Sequence, residues 1–394
     1  MKCKLCNKTE LNQVLSLGKQ PLANKYPKNN YEIINEKKYS LDLLFCKNCK
    51  NVKIKKIISR NEMFKDYYYL SSINKGLVNH FNNLAKELNN AQFVLDIGSN
   101  DGILLKPLKD LNVKAIGIDP SINVGKIANN QGLKTIVSFF NNDVVKLINN
   151  EHSKPDAIIA SSVFTHIEKP KYFANNIKKL LSKDGVFILE IEYLQNFIQN
   201  IQFERFYFDR PYYYSATSLF ELFKSVGMII VDVKKINIHG GSLRFFIKHN
   251  IAVKPKLSIT SLIEKERLYF NLSVFKKFKK KIDFEADNLR SKLCHLKKSG
   301  KKIIGYGAPA RVATITNLAK INSNIIEFII DDNPLKQNKF SPGMHIPIYS
   351  SKKLESYKPD IVVVFAYEYF SFIKEKFVSI NCKFYKPIPF EIIK

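Results

Sequence analysis

Long hydrophobic runs are missing from this chain. No window approaches the roughly 20 consecutive apolar residues of a membrane-spanning helix, so neither a span nor a membrane partner is expected. The opening residues, Met-Lys-Cys-Lys-Leu-Cys, lack the apolar core of a secretory leader, which points to a cytoplasmic protein. Arginine is scarce, at 7 of the 63 basic residues, and acids number only 35, which leaves a net charge of +28. That charge invites a nucleic-acid reading. The excess is lysine, however, spread along the chain among abundant Asn and Ile, which is the mark of compositional drift, and no nucleic-acid partner is expected. The densest run, 276–281, reads as the solvated face of a helix that could draw in nucleotide diphosphates at low salt. Cysteine is also sparse, with 6 in all, and disulfides are not expected in the cytosol.

Core-forming residues are present in quantity. At 394 residues and 45% hydrophobic content the chain should build two or three globular domains. Four of the cysteines come as knuckles, Cys3-Lys4-Leu5-Cys6 and Cys46-Lys47-Asn48-Cys49, while Cys294 and Cys382 stand alone. Two such pairs fit a tetrahedral zinc site of Cys3, Cys6, Cys46 and Cys49. Four thiolates leave no open position, so the zinc is expected to be structural, with a small β-subdomain between the knuckles.

Phe93 to Gly102 organises the centre of the chain. Phe93–Ile97 reads as a buried parallel strand that stops at glycines, and Ile103, Leu104, Leu105 and Leu108 mark the helix that follows. Asp96-x-Gly98-x-x-x-Gly102 is the spacing of the S-adenosylmethionine (SAM) loop of class I methyltransferases. A second strand ends at Asp119, where an acid commonly accepts hydrogen bonds from ribose hydroxyls. NAD would use the same geometry, but the loop lacks Gly-x-Gly-x-x-Gly. SAM is therefore expected over Asp96, Gly98, Asn100, Gly102, Asp119 and Ser161. Ser161 closes a third strand, and the loop after it carries His166, either a site residue or a hydrogen-bonded structural histidine.

Farther along, Val186–Ile191 and 229–237 read as strands. Thr217 or Ser218 is placed to cap the helix that carries Leu219, Phe220, Leu222 and Phe223. His239-Gly240-Gly241-Ser242 reads as a turn before a strand at Phe245–Ile247. Residues 258–299 carry apolar positions every 3 to 4 residues, as one long helix broken once. A second α/β unit opens at 301, and Gly305-x-Gly307 could cradle a phosphate at a helix start. Upstream, Tyr67, Tyr68 and Tyr69 could line a polar pocket or pack between subdomains.

Taken in order, the knuckles, the SAM loop, the His-Gly-Gly-Ser turn, the long helix and Gly305-Tyr306-Gly307-Ala308 resemble the sugar C-methyltransferases. Leu17-Gly18-x-x-Pro21-Leu22-Ala23-Asn24, Asn333-Pro334-x-Lys336-Gln337 and Pro342-Gly343-x-His345-Ile346-Pro347 extend the likeness to the whole chain. The resemblance implies a mixed α/β protein: an N-terminal zinc-binding domain (1–75), a Rossmann-like class I methyltransferase domain (76–250), a bridging helix (251–300) and a C-terminal second Rossmann-like domain (301–394). It also implies methyl transfer from SAM to a carbon beside the keto group of a nucleotide-linked 4-keto-deoxysugar, through an enolate. The family takes its base from a Tyr-His-Glu-His stretch, which falls here on Tyr207-Phe208-Asp209-Arg210. Both histidines are gone, and arginine is effectively never deprotonated. Tyr207, Asp209, Arg210, His239 and His166 are the candidate catalytic groups, with Tyr67, Tyr69, Ser242, Tyr306 and Arg311 expected around the sugar. An O- or N-methyltransferase, or a zinc-stabilised nucleic-acid-binding protein, are the rival readings, and a monomer or weak dimer is the expected assembly.

Overall fold

The computed structural model describes residues 2–59, 70–250 and 253–393, so Tyr67, Tyr68 and Tyr69 lie outside the described residues. Three sheets carry the architecture. The first is antiparallel and contains β1 (Leu11–Pro21), β2 (Lys38–Cys46) and β3 (Val52–Ile54), with Leu15 and Leu17 of β1 buried on either side of exposed Ser16. Its fourth strand, β9 (Tyr212–Tyr213), arrives from far downstream and pairs with β3 at Val52 and Lys53. The β-subdomain expected between the cysteine knuckles is therefore present, and it is completed by the segment just after Arg210.

The second sheet holds seven strands in the order β10-β11-β8-β7-β4-β5-β6. They are β4 (Phe93–Ile97), β5 (Lys114–Asp119), β6 (Thr135–Val137), β7 (Ala157–Ser161), β8 (Val186–Glu192), β10 (Met228–Ile236) and β11 (Ser242–His249). The run β6 to β8 is parallel, whereas β11 runs antiparallel to both β8 and β10. Every residue of β4 is buried, as its unbroken Phe-Val-Leu-Asp-Ile run demands of a strand covered on both faces. Strand order reverses at β4, and the crevice outside its carboxyl end is where such sheets bind ligands. β11 begins at Ser242, three residues before the expected Phe245, because pairing with Glu192 and Ile191 of β8 extends to Ser242 and Leu243.

The third sheet is also seven-stranded, in the order β14-β15-β13-β12-β16-β17-β18. It comprises β12 (Ile303–Tyr306), β13 (Ile329–Ile330), β14 (Lys339–Phe340), β15 (Pro347–Tyr349), β16 (Ile361–Val364), β17 (Lys383–Lys386) and β18 (Glu391–Ile392). The expected long helix is two, Leu257–Tyr269 and Leu272–Lys298, broken at Phe270-Asn271, where the Asn271 side chain accepts from the Val274 N–H and caps the second. The second helix buries Phe275, Phe278, Ile282, Leu289 and Leu293 in one core with Leu43 and Phe45 of the first sheet and Ile303 and Ile361 of the third. None of the described helices is long and apolar enough to cross a membrane.

Two local expectations are corrected. The cap of the helix Ala216–Ser225 is Ser215, whose Oγ accepts from the Ser218 N–H at 3.0 Å while Ser218 Oγ accepts from the Ser215 N–H. Thr217 turns instead to Glu266, a fully buried carboxylate that also takes the Ala216 and Thr217 N–H groups. The Gly305-x-Gly307 turn does not present its amides to a phosphate. Gly307 N–H donates to the Ile330 carbonyl at 2.7 Å, and Ala308 N–H to Asp331 Oδ2 at 2.6 Å.

Candidate active site

The zinc ligands meet first. Cys3, Cys6, Cys46 and Cys49 bring their sulfurs within 4.8 Å of one another. Both knuckles fold alike: Asn7 N–H donates to the Cys3 carbonyl and Lys50 N–H to the Cys46 carbonyl, at 2.8 and 2.9 Å. Asn7 and Lys50 both hold a left-handed φ, +62° and +61°, which turns each chain back after its second thiol. Hydrogen bonding between the thiols pulls Cys3 down to about 3 and Cys6 to about 6, and pushes Cys49 up. Four sulfurs so close cannot all be thiolates without a cation among them, and four soft ligands with no open position suit a structural zinc.

The second site is a cleft of about 450 Å³ at the carboxyl ends of β4, β5 and β7. Asp96, Gly98, Asn100, Asp119 and Ser161 line it, as expected, together with His166 and His239. Gly98 holds a φ of +79°, and a Cβ there would lie 2.9 Å from Val163 Cγ2, so only glycine fits the turn. Gly102, at φ +83°, works from behind: a Cβ would press to 2.5 Å from Leu133 Cδ1. Asp119 accepts from Asn100 N–H at 3.0 Å and from Ser121 N–H at 2.9 Å, one on each oxygen. This bracing fixes the carboxylate at the cleft and leaves each oxygen a lone pair for a hydroxyl. Burial raises Asp119, and burial with the neighbouring Asp119 and Glu190 charges lifts Asp96 to about 8. These residues fit SAM, whose bound sulfonium supplies an electrophilic methyl.

Ser161 Oγ donates to Glu190 Oε2 at 2.6 Å. Glu190 also receives His80 Nε2 at 2.9 Å and Arg244 Nε at 2.7 Å. Burial opposes its charge, but His80 and Arg244 together hold it below the ordinary carboxylate range.

The substituted segment stands behind the cleft, and none of its side chains lines it. Asp209 is buried and accepts from Asn24 Nδ2 at 2.6 Å, so its carboxylate does not line the cleft. Its backbone carbonyl accepts from His166 Nδ1 at 2.7 Å, which fixes the proton on that nitrogen. Arg210 is ion-paired with Glu192 and stands over the Tyr207 ring at 5.1 Å. Burial opposes the Glu192 charge, yet Arg210 pulls that carboxyl down to about 2. Tyr207 accepts from Tyr213 Oη through its carbonyl at 3.1 Å, and burial raises its phenol.

The residues expected around the sugar divide. Ser242 Oγ donates to the Ile238 carbonyl and lines a smaller pocket of about 250 Å³ with Tyr193 and Asn196 rather than the main cleft. Tyr306, in the core of the third sheet, donates to the exposed Asp332 at 3.0 Å. Arg311 pairs with Glu368 at 3.0 Å, and Glu368 also binds Arg205. A Cβ at Gly240 would come within 2.6 Å of Arg205 Nη2, so the Arg311–Glu368–Arg205 chain clamps the turn that carries His239. The ties made by Glu190, Glu192, Arg205 and Glu368 escaped the sequence because each is defined by partners distant along the chain. An acid at the end of a parallel strand was the one available signal, and it was present for Glu192 and Asp119 alike.

Three family models match in succession and leave little of the chain uncovered: a zinc binding domain over 3–64, a methyltransferase domain over 62–233, and a C-methyltransferase C-terminal domain over 237–389. The chain is similar along nearly its whole length to the C-methyltransferases. It is a SAM-dependent methyltransferase with a zinc-binding N-terminal domain. The C-methyltransferase NovU of Streptomyces niveus is 27% identical over 98% of this chain and 95% of its own length. Solved structures align more narrowly. A Burkholderia thailandensis 1,6-didemethyltoxoflavin-N1-methyltransferase is 14% identical over 46% of this chain and 81% of its own, with a TM-score of 0.35. The magnesium protoporphyrin IX methyltransferase of Synechocystis PCC 6803 is 13% identical over 44% and 78%, with a TM-score of 0.33.

Proposed function

We propose that the protein transfers a methyl group from SAM to a ring carbon beside the keto group of a nucleotide-linked deoxysugar. The observation that carries this reading is the shared cleft: the glycine loop and Asp119 at one end, and two imidazoles, His166 and His239, on its walls. A carbon acceptor must lose a proton before it can attack, and a histidine is suited to take it near neutral pH. Asp96, Gly98, Asn100 and Asp119 would position the cofactor, while Glu190 orients Ser161 beside them. Likeness to NovU over nearly the full length of both chains supports carbon as the acceptor. Transfer to oxygen or nitrogen is the second reading, favoured by one observation: Arg210, tied to Glu192, cannot be a base.

Incubation with methyl-labelled SAM and a panel of nucleoside-diphosphate 4-keto-deoxysugars, followed by mass spectrometry, tests the proposal. A sugar nucleotide that gains one labelled methyl is the expected result. Label on a fully reduced sugar, with none on any ketosugar, would contradict it.

A further inference from the structure

His239 sits where the substituted 207–210 segment, the cleft and the C-terminal unit meet. It lines the cleft beside Asp96, Gly98, Ser161 and His166, and no hydrogen bond to its ring is present among the described residues. Its backbone holds a φ of +49°, in the left-handed region that non-glycine residues adopt uncommonly, histidine more readily than most. Its surroundings are specific. Gly240 packs against Arg205, Gln202 and Glu368, and Gly241 against Asn196, where added Cβ atoms would meet side chains at 2.6 and 2.4 Å. The turn is thus clamped from both sides, and the imidazole is held toward the cleft without an internal partner.

Arg210 pairs with Glu192 and Asp209 faces Asn24, so neither is placed to act as a base. His166 gives its Nδ1 proton to the Asp209 carbonyl, which makes Nε2 its basic nitrogen and leaves it as the rival imidazole on the cleft wall. We propose that His239 is the general base that removes the acidic proton from the acceptor carbon, a role that rests on the carbon-methylation reading above. The ring nitrogen takes the proton as the C–H bond breaks, and that electron pair passes into the adjoining carbonyl to give an enolate. The enolate carbon then forms a bond to the methyl group as the methyl–sulfur bond breaks, its electron pair staying on sulfur in S-adenosylhomocysteine. The imidazolium afterwards returns its proton to water.

The charges around His239 serve that role. Glu192 of β8, Arg205 and Arg210 of the 203–210 segment and Glu368 of the C-terminal unit all act on it, and Asp96 and His166 share its cleft. Burial first, then Arg210 and Arg205, outweigh the two glutamates and keep the ring below 6.5, hence neutral and able to accept a proton at pH 7.

The test uses the full chain and a nucleoside-diphosphate 4-keto-deoxysugar deuterated beside the ketone. His239→Asn is the variant of choice, because asparagine tolerates the left-handed backbone. Its loss of deuterium to water should slow by about 100-fold or more. Calorimetric SAM affinity should stay within threefold of the unaltered protein, and His239→Gln should behave alike. In the unliganded protein the NMR signal assigned by its disappearance in His239→Asn should titrate below pH 6.5. Deuterium loss at the unaltered rate in both variants, or its collapse in His166→Asn alone, would overturn the assignment while leaving carbon methylation standing. A methylated product that keeps its deuterium in the unaltered protein would overturn carbon methylation itself, and the base with it.

Discussion

Asp96 ties cofactor binding to stability at a single side chain. Its carboxyl lies at about 8 in the folded chain against 3.8 when exposed, because burial disfavours the charge. Across that window the folded chain holds a proton that the unfolded chain has lost. Stability therefore falls as pH rises from about 4 to 8, by up to about 1.4 kcal/mol per unit, and levels off above. Asp96→Asn removes the slope. Urea unfolding of the ligand-free variant should show a gain over the parent that is small at pH 5 and larger by about 1 kcal/mol or more at pH 8. An equal gain at both values would refute the buried-acid account. Gly98→Val should weaken SAM binding at least tenfold by calorimetry, since a side chain there meets Val163 in a backbone conformation suited to glycine. This part of the site was legible in the sequence because Asp96, Gly98, Asn100 and Asp119 lie within 24 residues on one strand-loop-helix-strand unit. Glu190 was not. Its partners His80, Arg244 and Ser161 are 110, 54 and 29 positions away, and only the folded sheet brings them together.

Among the elements, strand β4 could be read to the residue, since a buried parallel strand shows as a continuous apolar run ended by glycine. That 257–298 is helical was equally plain from its 3-to-4-residue apolar spacing, but where it breaks was not. The cap of the helix Ala216–Ser225 was misplaced by two or three residues because Ser215-Ala216-Thr217-Ser218 offers three hydroxyls in four positions. Tertiary contact decides among them: Glu266 claims Thr217 and the first two N–H groups, and Ser215 is left to close the box. Glu266→Ala would strand those donors in the core. An unfolding free energy lower by about 3 kcal/mol is expected, measured in urea, with the zinc content unchanged. A loss under about 0.5 kcal/mol would show that the helix end does not depend on it.

At the scale of the whole molecule, the zinc domain and the segment behind the cleft are joined through one sheet. β9 joins the first sheet two residues after Arg210, and Ser215 Oγ reaches the Cys49 carbonyl. That link could not be seen in the sequence, where a two-residue strand gives no periodic signal. Cys46→Ser should lose about one zinc per chain by elemental analysis and lower the unfolding midpoint by on the order of 10 °C. Retained zinc with unchanged melting would detach the four cysteines from the fold. The lysine-rich surface, by contrast, contributes Lys169 to the cleft and no other lysine among the described residues.

The most direct measurement is the nuclear magnetic resonance spectrum of the product formed from SAM carrying a carbon-13 methyl and a ketosugar nucleotide uniformly labelled with carbon-13 in its ring. One-bond carbon–carbon coupling between the new methyl and a ring carbon is the predicted result. A new methyl without that coupling, attached through oxygen or nitrogen, would contradict the account.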